Sequence, residues 1–134
     1  MASISIITDI NEQAADKLRQ VGVRTSEQLI EKGATSTARM RLADETGLDD
    51  AAIKCWVHQA DLLRIPGMTA ALAKILCDVG VCTVPKLAYR SSDALYHELQ
   101  SQAEKVRQLK VLPTLPELHR FSVTAKQLPK FVYH

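Results

Sequence analysis

A chain of 134 residues with 46% apolar and 24% charged side chains has the make-up of one ordinary globular domain, able to bury a core without metal or disulfide support and too apolar for disorder. A net charge of +2 selects no partner by itself, while the lack of a leader pattern or of an apolar run near the roughly 18 residues of a membrane span points to the cytoplasm and away from membranes. Three cysteines, an odd number on or beside predicted helices, argue for reduced thiols rather than a disulfide framework.

In chain order, residues 3–7 alternate like a strand too short to set the fold class. Ile10, Ala14, Leu18 and Val21 then recur at the three- and four-residue spacing of a buried helical stripe, which Gly22 is suited to end. Thr25 is placed to N-cap a short helix with Leu29 inward. A helix over 37–46 stops at Gly47, and Asp49 or Asp50 caps the next, whose inner face is Ile53, Trp56, Val57, Ala60 and Leu63. No Gly-, Pro- or Ser-rich linker follows, so the two halves are expected to pack as one compact helical unit.

The second half starts the pattern again. Leu72, Ile75, Leu76 and Val79 form the stripe, Gly80 its stop and Thr83 the next cap, with Leu87 inward. Ser92 is predicted to cap a helix carrying Leu95, Leu99, Val106 and Leu109. Thr114-Leu115-Pro116-Glu117 reads as a capping box with proline in the first turn, opening a helix with Leu118, Phe121, Ala125 and Leu128. Pro129 ends it, leaving 130–134 as a tail that either packs through Phe131 and Tyr133 or frays.

The two halves echo each other at an offset of 58 residues. Val21-Gly22-Val23-Arg24-Thr25 returns as Val79-Gly80-Val81-Cys82-Thr83, and without a gap Ile7 pairs with Ile65, Ile10 with Met68, Ala15 with Ala73, Leu18 with Leu76 and Leu29 with Leu87. The expected fold is therefore all-α, with one repeat and its helical extension in 1–61 and a second in 62–134, the latter including the tail. Charge divides along the same line. Residues 1–61 hold seven Lys or Arg against ten Asp or Glu, and 62–134 hold ten against five.

Arg64-Ile65-Pro66-Gly67-Met68-Thr69, followed by Ala73-Lys74-Ile75-Leu76 and Gly80-Val81, resembles the helix-hairpin-helix motif. That resemblance implies a tight turn exposing backbone N–H groups at a helix N-terminus, where a phosphate oxygen binds and a lysine such as Lys74 adds a charged contact. Here Thr69 replaces the second glycine, and its side chain either obstructs a phosphate or donates a hydroxyl to it. The corresponding stretch of the first repeat, Thr8-Asp9-Ile10-Asn11, has no glycine and sets a carboxylate where an anion would sit.

Taken whole, the chain resembles a family of domains of unknown function found chiefly in bacteria and made of two such repeats with a Trp-bearing helix between them. The landmarks are Gly33-Ala34-Thr35, Leu42-Ala43, Thr46-Gly47, the run from Trp56 to Ile65, and Val84-Pro85-Lys86-Leu87-Ala88.

These readings point to a binding module and not an enzyme. No phosphate-cradling loop, His-Glu-x-x-His or Gly-x-Ser-x-Gly is present, no histidine pairs with a cysteine at metal-ligand spacing, and no cofactor or small-molecule substrate is expected. Histidines are expected to face solvent or bond locally, and Trp56 falls on an apolar face rather than on a base-stacking surface. Sequence-independent contact with a nucleic acid backbone through Arg64, Gly67, Thr69 and Lys74 is the first expectation. Lys86 and Arg90 lie in the same basic half. A protein-interaction adaptor using Phe131, Val132 and Tyr133 is the alternative.

Overall fold

Small polar side chains decide where these helices begin. The computed structural model describes residues 3–7, 9–102 and 113–133. Within them α1 is Glu12–Gln20, α2 Ser26–Gly33, α3 Ser36–Thr46, α4 Asp50–Leu62, α5 Ala70–Asp78, α6 Val84–Tyr89, α7 Ser92–Ser101 and α8 Leu115–Gln127. Asn11, Thr25, Thr35, Thr69, Thr83, Ser91 and Thr114 each accept the N–H three residues on, so one of the free donors at each helix start is met locally, before any tertiary contact forms. Asp49 does the same for Ala52 at the head of α4. Thr25 with Gln28, and Thr114 with Glu117, complete reciprocal capping boxes.

The chain divides into two compact units, Met1–Asp61 with Lys130–His134, and Leu62–Pro129. Unit 1 buries Ile4, Ile7, Leu18, Leu29, Ile53 and Val57. In unit 2 one apolar cluster joins α5, α6, α7 and α8 through residues such as Leu76, Leu87, Leu99, Leu118 and Phe121, and α8 packs against both α6 and α7.

Backbone hydrogen bonds recur from unit 1 to unit 2 at a constant separation of 58 residues. Ile7 N–H reaches the Ile4 carbonyl at 3.1 Å, and Ile65 that of Leu62 at 3.1 Å. Ile10 bonds Ile7 at 3.0 Å, and Met68 bonds Ile65 at 3.1 Å. Past the helices, Val23 N–H returns to Leu18 at 2.9 Å and Val81 to Leu76 at 2.8 Å, across glycines of the same left-handed φ, 87° at both Gly22 and Gly80. The apolar pairs that match in sequence thus sit on matching backbone turns.

Several boundaries differ from the sequence expectation. Residues 3–7 form no strand: Ile4–Ile6 is a 3-10 turn, with only an isolated bridge from Ser3 to Thr25. Helix α3 starts one residue before 37, because the Thr35 hydroxyl takes the Ala38 N–H at 3.1 Å. Ser91, not Ser92, caps α7, since its hydroxyl is the one in reach of Ala94. Val106 and Leu109 lie outside the described residues. The tail, expected with the second repeat, belongs to unit 1: Val132 is buried, and Tyr133 N–H donates to the Ala34 carbonyl at 2.7 Å.

Close approach in unit 1 depends on Gly33. A Cβ there would lie 2.5 Å from Cγ2 of the fully buried, β-branched Val57, leaving no rotamer escape. Gly33→Ala gains about 1 kcal/mol of helix propensity but incurs about 1–3 kcal/mol of overpacking. The expected outcome is a net loss near 1 kcal/mol, read as a lower urea midpoint at unchanged slope.

Candidate nucleic-acid interface

Between α4 and α5 the chain makes a turn whose apolar members point in and whose small members face out. Ile65 and Met68 are buried, whereas Pro66, Gly67 and Thr69 are exposed. Gly67 has φ of +86°, a conformation that a side chain resists, and Phe121 Cε1 lies 3.6 Å from where its Cβ would be. The turn is therefore held from beneath by α8 and open above.

Helix α5 starts directly from this turn. Thr69 serves it twice, accepting the Leu72 N–H at its hydroxyl oxygen, 3.1 Å away, and the Ala73 N–H at its carbonyl, 2.9 Å away. The first two amides, of Ala70 and Ala71, are the donors left at the helix end, where the dipole favours an anion. Thr69 is thus a cap first. Lys74 is exposed and lies four residues beyond Ala70, on the same helix face and one turn along.

Arg64 stands apart from this arrangement. Its Nη2 donates to the Pro129 carbonyl at 2.6 Å, just past the end of α8, so its guanidinium serves the helix exit. Lys86 is exposed on α6, and Arg90 forms an ion pair with Glu98. The structure therefore brings Gly67, Thr69 and Lys74 to one exposed turn and helix start, and turns the Arg64 guanidinium to the Pro129 carbonyl. In unit 1 the equivalent turn carries Asp9, which accepts from Gln59 Nε2 at 3.3 Å. A carboxylate there works against a phosphate.

A family model described as a domain of unknown function, DUF4332, matches residues 8–128. The chain belongs to the DUF4332 family. No curated protein and no solved structure matches it.

Three polar features of this DUF4332 chain escaped the sequence reading. Arg39 is only 2% exposed, donating from Nη1 to the Gly33 carbonyl at 2.9 Å and from Nη2 to the Tyr133 carbonyl at 3.1 Å. Burial lowers its pKa below the usual arginine range, and Asp50 pulls it back up. No sequence signal marks it, since arginine on a short helix normally reads as a solvated face. From Trp56 to Leu62 helix α4 is buried on every side, enclosing His58, Gln59 and Asp61 as well as its apolar stripe. Of the two expectations for a histidine, facing solvent or bonding locally, buried His58 does not meet the first, whereas His97 and His119 are exposed.

The third is a cleft of about 300 Å³ lined by Glu31, Lys32, Ala38, Arg41, Leu42 and Glu45, whose two carboxylates and two cations balance. Among the described residues no group of three or more His, Cys, Asp or Glu could hold a metal ion, and no helix is long and apolar enough to cross a membrane.

Proposed function

We propose that this DUF4332 chain is a non-catalytic binding module of two helix-hairpin-helix repeats, whose second hairpin makes sequence-independent contact with a nucleic acid backbone. One observation carries the reading: an exposed turn with left-handed Gly67 leads straight into the start of α5, with the Ala70 and Ala71 amides at its end and Lys74 one turn along the same face. The 58-residue recurrence of backbone bonds supports the repeat.

Physical chemistry sets the properties of such a contact. Backbone amides and one lysine meet phosphate oxygens and no base edge, so affinity is independent of sequence and falls with salt. A single hairpin engages only one or two phosphates, since Asp9 disfavours the other turn. The expected dissociation constant is on the order of 10⁻⁴ M at physiological salt, tightening as salt is lowered.

Fluorescence anisotropy with a labelled duplex, at two salt concentrations, tests this. Lys74→Glu is expected to weaken binding at least tenfold, a change of about 1.4 kcal/mol, and to flatten the salt dependence. Arg64→Gln is expected to leave the salt slope unaltered, because that guanidinium is directed at Pro129. Absence of binding at low salt, or indifference to Lys74→Glu, would end the proposal.

The adaptor reading draws on Phe131 and Tyr133, which are about half exposed, although Val132 between them is buried. It predicts indifference to Lys74→Glu and loss of a protein partner on removal of the tail.

A further inference from the structure

The seat of the tail on unit 1 has the construction of a peptide site. Two hydrogen bonds hold the backbone of Tyr133: its N–H donates to the Ala34 carbonyl at 2.7 Å, and its carbonyl accepts from Arg39 Nη2 at 3.1 Å. One side chain, Val132, is inserted at 1% exposure. Residues on either side stay outside: Lys130 is exposed, with Nζ 4.8 Å from the centre of the half-exposed Tyr133 ring, and Phe131 is also about half exposed.

We propose that this seat is an exchangeable docking site for an extended peptide bearing an aliphatic side chain, occupied in cis by the chain's own Val132 and Tyr133. Recognition is through main-chain groups and one apolar pocket, which is how an extended segment is read with little demand on its other side chains.

Both groups that hold the tail have a place in unit 1 apart from it: Arg39 also bonds the Gly33 carbonyl, and the Ala34 carbonyl follows the end of α2, where the helix supplies no donor for it. When the tail lifts, these groups offer one acceptor and one charged donor. The occupant is attached through exposed Pro129 and Lys130, so the high local concentration that tethering gives adds to its hold. A partner segment of the same chemistry, extended, with an aliphatic residue followed by an aromatic one, competes for the same groups. This inference depends on neither functional reading above, and Lys74→Glu leaves it unaffected.

The test uses the full chain and a fluorescein-labelled peptide with the sequence of residues 129–134, Pro-Lys-Phe-Val-Tyr-His. In a full-length Val132→Asp variant the chain's own tail is unseated, and this protein is expected to bind the peptide at least tenfold more tightly than the wild type, whose seat is filled. A peptide carrying the same Val→Asp change is expected not to bind. Equal affinity of the two proteins, or no binding by a folded Val132→Asp chain, overturns the proposal. So does concentration-dependent dimerisation of the wild type that Val132→Asp abolishes, which would assign the seat to a second copy.

Should the variant not fold, amide exchange in the wild type decides instead. The Tyr133 amide is expected to exchange at least a hundredfold faster than the amides of Leu29 and Ile53, which bond Thr25 and Asp49 carbonyls in the core of unit 1. Equal protection would make the tail a permanent part of that core and overturn the proposal.

Discussion

Arg39→Met is expected to destabilise unit 1 by about 2–4 kcal/mol, at nearly constant side-chain volume. Hydrogen bonds from a charged donor are each worth about 1.5–3 kcal/mol, and the larger loss comes from a buried acceptor left without a donor. The Gly33 carbonyl is that acceptor; the Tyr133 carbonyl, on a half-exposed residue, can turn to water. Burial opposes the charge on Arg39, and its two bonds together with Asp50 offset that cost. Removing the guanidinium relieves the desolvation, which is why the expected loss stays below the sum of two charged bonds. Arg39→Lys keeps the charge but not the fork, and is expected to recover only part of the loss. Trp56, buried in unit 1, reports unfolding in urea through its fluorescence. A midpoint equal to that of wild type would show that the two bonds carry no net stability.

Phe121→Ala is expected to have an effect of similar or greater size on unit 2, about 3–5 kcal/mol. Phe121 is 3% exposed within the cluster that joins α5, α6, α7 and α8, and α8 packs on both α6 and α7, so no single neighbour can close the space. Its ring also lies beneath Gly67. Loss of the ring is therefore expected to loosen the Pro66–Thr69 turn, and to weaken the proposed duplex contact without touching a surface group. Amide exchange at Val81 and Leu87, whose N–H groups close turns in unit 2, reads the stability. Phe121→Leu, which keeps most of the volume, is expected to lose less than half as much. If Phe121→Ala left exchange at both amides unchanged, α8 would be peripheral to the unit 2 core.

Much of the helical pattern was legible because its determinants are local. A threonine or asparagine ahead of an apolar stripe at three- and four-residue spacing, and a glycine behind it, specify start, buried face and stop within about ten residues. Thr25 with Gln28 and Thr114 with Glu117 are complete in a four-residue window. Errors of one residue, at Ser91 and Thr35, arose where adjacent hydroxyl residues compete for the same cap and only the final backbone angle decides.

The candidate interface was half legible. Gly67, Thr69 and Lys74 follow from one motif on one stretch of chain, and the structure keeps them together. Arg64 has the same sequence credentials, yet its guanidinium turns to the carbonyl of Pro129, 65 positions along the chain. Arg39 is the more instructive omission, because its partners Gly33 and Tyr133 lie on opposite sides of it in sequence, one of them 94 residues distant.

By itself, then, the sequence determined that this chain is helical, where most of its helices begin and end, and that its pattern repeats after 58 residues, since each of these follows from spacing and caps among near neighbours. Only the tertiary structure decided which cations spend their hydrogen bonds inside the protein and where the last residues dock. A long, flexible arginine or an extended tail has no conformation of its own. Its position is set by acceptors and pockets brought near by folding, and neighbours in sequence carry no trace of them.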